Sequence, residues 1–167
     1  GSAGKAQQPR SGARRHLQTP AASAPGAAAR STTLTSMSSY TLETHCLGVL
    51  LRQPALLYQV DRRMQQDGLP RLSSADFQHA DHQTIISLFQ ESVDQDMAEP
   101  LNFVFNHLSL PMMELADGLL ARTTTLDPNE ERVLEDLMRG LLSLRRRNLD
   151  QEIEYRRYAM EEAQELG

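Results

Sequence analysis

The chain has 167 residues, 17 basic and 22 acidic side chains and a formal net charge of −5. Residues 1–38 carry +5 with no acid, so residues 39–167 carry −10, an acidic balance that argues against a nucleic-acid groove. One cysteine excludes an internal disulfide framework and favours a reducing cytoplasm, and no apolar run reaches the roughly 18 residues of a membrane span.

Residues 1–38 are rich in Ala, Gly, Ser, Thr, Pro and Gln, and large apolar residues are almost absent. Such a segment buries too little surface to offset the entropy of ordering it. We therefore predict a disordered linker and expect another domain to precede it in the parent protein. A nucleic-acid contact through Arg10, Arg14 and Arg15 is the weaker alternative.

Apolar periodicity after residue 38 predicts about six helices with short connections, which is an all-α bundle. They cover about residues 41–52, 54–66, 81–93, 99–108, 110–122 and 127–167. A short turn before the third helix should point Phe77 inward. Leu101, Phe103 and Phe105 alternate as in a strand, but a lone strand has nothing to pair with, so helix is preferred. The predicted core comprises Leu47, Leu50, Leu57, Ile86, Phe89, Leu137 and Leu141.

The last helix is predicted to begin with Asp127 as the cap, Pro128 in the first turn and Glu130 completing a capping box, and to end at Gly167. Its apolar stripe is dense over 134–144 and thins after three arginines at 145–147. We therefore divide the folded part into a bundle, 39–148, and a terminal arm, 149–167. A narrow apolar seam is typical of helix recognition. The predicted partner-binding residues are Leu149, Ile153, Tyr155, Arg156, Tyr158, Met160 and Ala163, with both tyrosines near the edges of the seam.

No constellation of residues argues for catalysis. His79 and His82, with Asp76 and Asp81 nearby, suggest a metal site, but such a site needs three or four converging ligands, so capping or surface roles are preferred for the histidines. Cys46 beside His45 does not form a nucleophile–base pair, because helical neighbours point about 100° apart, and Cys46 is predicted to be a core residue.

Two further charged groups are assigned ordinary roles. Asp94, Asp96 and Glu99 lie in a polar loop with no apolar pocket to raise a pKa. The arginines at 145–147 are interpreted as a solvated helix face in preference to a partner contact, with i,i+4 pairs joining Arg146 to Asp150 and Glu152 to Arg156. No metal or other cofactor is predicted.

The leucine-rich segment 42–54, LETHCLGVLLRQP, ends in the break Pro54-Ala55-Leu56-Leu57. This helix and its "P-x-L-L" break resemble the opening of the helicase-binding domain of bacterial replicative primase. Asp76-Phe77, His82 and the apolar run 85–89 look like its aspartate–phenylalanine turn and histidine-led helix. The closing long helix, with arginines followed by acidic turns, is also similar, and the resemblance covers about residues 40–167.

This resemblance implies a non-catalytic module that binds the hexameric replicative helicase and couples primer synthesis to the replication fork. It implies a terminal helical hairpin, of which residues 127–167 would supply the first arm. The expected protein is a cytoplasmic monomer whose folded body binds neither nucleic acid nor membrane. The amino-terminal domain of the helicase itself, which acts in ring assembly, is the alternative, and a small metal-dependent hydrolase using His79 and His82 is a remote one.

Overall fold

The computed structural model describes residues 37–167, which form six α-helices and one short 3-10 turn and contain no strand. The helices are α1 (Ser39–Arg52), α2 (Leu56–Gln66), α3 (Ala80–Asp94), α4 (Pro100–His107), α5 (Leu110–Arg122) and α6 (Glu130–Leu166), and the 3-10 turn, Ser74–Asp76, lies between α2 and α3. The predicted all-α bundle with a long final helix is confirmed. No helix within 37–167 is long and apolar enough to cross a membrane.

The predicted linker falls mostly on residues 1–36, which lie outside the described part of the chain. Its last two residues belong to the folded domain instead. The side chain of Ser38 accepts a hydrogen bond from the Thr41 backbone amide and caps α1, while Met37 packs against the core.

Helix α1 lies at the centre of the bundle, because it is apolar on more than one face and packs against α3, α5 and α6. Glycines allow two of these helices to approach α1 closely. A Cβ added at Gly48 would lie 2.7 Å from the Leu119 carbonyl oxygen of α5, and one added at Gly140 of α6 would lie 2.8 Å from the Cys46 sulfur. The absence of these two side chains therefore sets the distance between the central helix and its neighbours.

The predicted core is confirmed, since each of its seven residues is buried: Leu47, Leu50, Leu57, Ile86, Phe89, Leu137 and Leu141. Phe77 is also buried, at the end of the 3-10 turn, as the sequence predicted. Residues 100–107 are helical, so the strand-like alternation at Leu101, Phe103 and Phe105 was correctly set aside.

The predicted start of α6 is wrong by two residues. Asn129 is the N-cap, and its side chain accepts from the backbone amides of Glu131 and Arg132. Asp127 instead accepts a 2.9 Å hydrogen bond from the Asn129 amide, which makes an Asx turn. Asp127 thus orients the capping residue rather than capping the helix itself. The helix ends at Leu166, and Gly167 follows it.

Helix α6 is buried along only part of its length. Its buried residues run from Val133 to Leu144, and every residue from Leu149 to Gly167 is exposed. The change falls where the leucine-dense stripe ends in the sequence. Residues 149–166, the arm, therefore continue the helix away from the bundle.

Candidate functional site

The arm exposes large apolar side chains that no other described residue covers. Leu149, Ile153 and Met160 are 53%, 64% and 63% exposed. Leu166 and the two arm tyrosines are exposed to a similar or greater degree. A contiguous patch of exposed apolar side chains, unlike single scattered ones, marks an interaction site on a monomer. The structure places all seven predicted partner-binding residues on this exposed helix.

Helix geometry divides these residues between different faces. At about 100° per residue, Leu149, Ile153, Met160 and Ala163 lie within about 80° of one another and form a seam. Arg156 lies on the same face and pairs with Glu152 one turn earlier, as predicted.

The two tyrosines are not at the edges of the seam. Tyr155 lies about 120° from Leu149 and Tyr158 about 180° from it, because α6 is an uninterrupted helix through both positions. One flat partner surface could not cover the seam and Tyr158 together. The role of Tyr155 and Tyr158 in partner binding stays a prediction, and it requires a partner that encloses the arm.

The base of the arm is fixed by Arg145. Its Nε and Nη2 donate to the two carboxylate oxygens of Asp76, each at 2.8 Å. Nη1 donates to the Pro70 carbonyl oxygen, and Nη2 also donates to the Arg71 carbonyl oxygen. Both side chains of the ion pair are largely buried, and hydrogen bonding to Asp76 raises the pKa of Arg145. The interpretation of Arg145 as part of a solvated face is therefore wrong. A bidentate ion pair of this kind fixes the orientation of the two side chains as well as the distance between them.

Residues 70–78, the strap, make further contacts with α6 beside this pair. Asn148 donates to the Asp76 carbonyl oxygen at 2.8 Å. The side chain of Gln78 donates to Asn148 Oδ1 and Gln151 Oε1, each at 2.7 Å. These bonds lie at the point where α6 leaves the bundle, so the strap determines the direction in which the arm projects.

The same strap reaches a buried polar cluster beneath it. Glu43 of α1 is fully buried, and its Oε1 accepts a hydrogen bond from the backbone amide of Gln78. Its Oε2 lies 2.9 Å from His79 Nδ1 and 2.6 Å from His82 Nδ1. The Tyr40 ring packs against both imidazoles, with centroid distances of 4.8 and 5.0 Å. Ligand atoms of Glu43, His79 and His82 lie within 4.8 Å of one another, the one such trio found within residues 37–167.

The surroundings of Glu43 favour its ionised form. Burial alone raises the pKa of this carboxyl, but hydrogen bonds from His82, the Gln78 amide and His79 outweigh burial, so its pKa lies below the ordinary value. The carboxylate also faces the N-terminal end of α3, where the helix dipole stabilises an anion. Glu43 is therefore a buried anion at neutral pH.

The predicted capping or surface role is wrong for His82 and incomplete for His79. His82 is fully buried, and its Nε2 is the one buried side-chain polar atom among residues 37–167 that has no hydrogen-bond partner. His79 stands at the N-cap position, but its side chain makes no capping bond and turns to Glu43. Of the acids considered beside the histidines, Asp76 is paired with Arg145 and Asp81 is exposed.

The sequence carried a signal for this cluster that was missed. Glu43 stands within a helix that is apolar on several faces, and a charged residue in such a position needs a partner. That partner could be supplied by two histidines that lie three residues apart at the start of a helix. The pairing joins residues about 36 positions apart, so helix periodicity alone does not reveal it.

Cys46 has the predicted core role. It is fully buried, and burial raises the pKa of its thiol to about 12, so the thiol is protonated and unreactive at neutral pH. Burial lowers the pKa of neighbouring His45, an effect that the Asp136 carboxylate partly offsets.

Comparison with protein-family models, with curated proteins and with solved structures finds no match to this chain.

Proposed function

We propose that this chain is a non-catalytic interaction module in which the bundle holds the arm of α6 as a docking helix for a replicative helicase. The exposed seam of Leu149, Ile153, Met160 and Ala163 carries the proposal. The choice of helicase rests on the resemblance of residues 40–167 to the helicase-binding domain of bacterial primase, and the arm supports a role in binding without naming the partner.

The way α6 is built supports a docking role for its second half. A helix that is exposed on every side gains no stability from tertiary packing, and yet this one continues for about five turns from Leu149 onwards. Ion pairs between Arg156 and Glu152 and between Arg157 and Glu161 contribute only a few tenths of a kcal/mol each. The seam gains burial when a partner covers it, and the Arg145–Asp76 pair orients the seam in advance.

The seam has the form of a helix that binds in a groove or against another helix. Its members recur at steps of three, four and seven residues, the spacing with which amphipathic helices place anchor residues in apolar grooves. Glu152 lies about 60° from Leu149 around the helix and pairs with Arg156, whereas Glu154, Glu161 and Glu162 lie about 120–140° from Leu149. A complementary surface would therefore be apolar where it meets the seam.

The test is a titration of the fluorescently labelled chain with the purified hexameric helicase from the same organism, with binding monitored by fluorescence anisotropy. Analytical ultracentrifugation of the chain alone measures its oligomeric state. We expect saturable binding to the helicase and a monomer in its absence. Absence of helicase binding in low-salt buffer would overturn the proposal. Concentration-dependent self-association without helicase binding would instead favour the ring-assembly alternative.

A further inference from the structure

We propose that Glu43, His79 and His82 form a divalent transition-metal site of the zinc type that ties α1, α3 and the strap together. This inference does not depend on the proposed function of the arm. It rests on the burial of the Glu43 carboxylate, on the convergence of two imidazoles on one of its oxygens and on the access that half-exposed His79 provides.

Charge is the first argument. Buried carboxylates are normally paired with a cation or bound to a metal. Within residues 37–167, the ion-pair partners of Glu43 are His79 and His82, and no lysine or arginine contacts it. An imidazole compensates a negative charge only when it is protonated. A divalent cation bound to the two neutral imidazoles would compensate the charge of Glu43 without a second proton on either ring.

The ligand atoms form the second argument. Two histidine nitrogens and one carboxylate oxygen are a donor set that zinc uses, with a fourth position left for water. In a tetrahedral zinc site, bonds of about 2.0–2.1 Å separate neighbouring ligand atoms by about 3.4 Å. The Oε2–Nδ1 distances of 2.9 and 2.6 Å would therefore widen by less than about 1 Å. All three ligand atoms lie within 4.8 Å of one another, so the two imidazole nitrogens would have to approach each other by at most about 1.4 Å.

The residues around the trio supply an outer-shell hydrogen bond and a route from solvent, which a metal site also requires. Glu43 Oε1 accepts from the Gln78 amide, which orients the carboxylate as an outer-shell partner does. His79 is 42% exposed and opens a route for the ion from solvent, and the Tyr40 ring covers both imidazoles.

Metal binding through Nδ1 of His82 leaves no additional buried polar atom without a hydrogen-bond partner. A metal at Nδ1 moves the ring proton to Nε2, and Nε2 of His82 already lacks a hydrogen-bond partner. The unsatisfied atom is therefore common to the metal-free and metal-bound forms.

The position of the site predicts a consequence for stability. Gln78 joins the trio through its backbone amide and α6 through its side chain. A metal that binds the folded chain and not the unfolded one raises the melting temperature by mass action. We expect zinc to stabilise the bundle and the base of the arm together.

The test uses the untagged full chain, from which bound metal is first removed with a chelator. Isothermal titration calorimetry with zinc chloride measures binding. Thermal melts with and without zinc, and absorption spectra of the cobalt-substituted chain, are recorded in parallel. We expect one equivalent to bind, the melting temperature to rise and cobalt to give the visible bands of a tetrahedral nitrogen–oxygen site. His79→Ala should weaken zinc binding by at least about a hundredfold while the bundle stays folded, because His79 is partly exposed. The matched control is His107→Ala, which removes an exposed histidine stacked on Phe103.

Glu43→Gln keeps the shape of the side chain and removes the anionic ligand, so it should also abolish one-equivalent binding. The proposal is overturned if the parent chain binds no equivalent of zinc. It is also overturned if His79→Ala binds zinc as the parent does, or if His107→Ala weakens binding equally. Should Glu43→Gln fail to fold, the comparison of His79→Ala with His107→Ala decides the question alone.

Discussion

At the scale of single residues, side chains with unusual surroundings determine how this bundle packs. Gly48 and Glu43 lie five positions apart on α1, and each contacts a different neighbour. Gly48 lets α5 approach, and Glu43 binds the start of α3. The central helix therefore depends both on a residue with no side chain and on a buried charge.

Gly48→Ala tests the close approach of α1 and α5. The added Cβ would meet the Leu119 carbonyl oxygen and the Thr123 methyl group, each at 2.7 Å. Because a backbone atom cannot rotate away, we expect the free energy of unfolding to fall by about 1–3 kcal/mol. Urea unfolding measures this change.

Gly118→Ala is the matched control for that substitution. Gly118 is also helical and is exposed, and a Cβ there meets nothing within 4 Å. Alanine should therefore stabilise α5 by about 0.5–1 kcal/mol. Equal effects of the two substitutions, in either direction, would show that the α1–α5 distance is not set by Gly48.

Sequence patterns predicted the burial of apolar residues well and the contacts of polar residues poorly. Leu47, Phe89 and Leu137 were predicted to be buried because helix periodicity repeats locally and each buried face follows from it. Glu43 and Arg145 were missed because their partners lie 36 and 69 positions away. No local rule links such pairs, since the fold itself brings them together.

At the scale of elements, α6 and the strap act as one unit. Arg145, Asn148 and Gln151 recur at steps of three along α6, and each bonds to a residue of the strap. The boundary between bundle and arm thus coincides with a row of polar contacts. The division at residues 148 and 149, predicted from the thinning stripe, falls within that row.

Arg145→Leu tests the contribution of the ion pair that fixes the arm. The substitution keeps most of the side-chain volume but leaves the Asp76 carboxylate largely buried without its cation. We expect the free energy of unfolding to fall by about 3 kcal/mol, as for other broken buried pairs. Chemical denaturation provides the measurement.

Arg146→Leu serves as the control, because Arg146 is exposed and an exposed position away from special contacts changes stability by less than about 0.5 kcal/mol. A loss of the same size in both variants would mean that helix propensity or solvation, and not the Asp76 contact, explains the result for Arg145.

At the scale of the whole molecule, folding and binding are assigned to different parts of one helix. The first half of α6 completes the core of the bundle through Leu137, Leu141 and Leu144. The second half presents its seam to solvent in a direction that the strap sets. Under the proposed function, this continuous helix would transmit the position of the bundle to the partner without a flexible joint.

The overall architecture was accessible from sequence because short loops and helical periodicity leave few alternatives to an all-α bundle. The start of α6 was missed because Asp127 and Asn129 are both good capping residues, and only the geometry of the turn selects between them. The placement of the tyrosines was missed for a different reason, since apolar residues were counted along the chain and not around the helix.

The most direct test of the account compares Ile153→Asp with Leu137→Asp by thermal melting and by helicase titration. Ile153 is exposed in the free chain, so its substitution should leave the melting temperature nearly unchanged. In the complex the same charge would be buried without a partner, which costs several kcal/mol, so helicase binding should weaken at least about tenfold. Leu137→Asp should instead unfold the bundle. Unfolding by Ile153→Asp, or helicase binding by that variant equal to the parent's, would contradict the division of α6 into a folding half and a binding half.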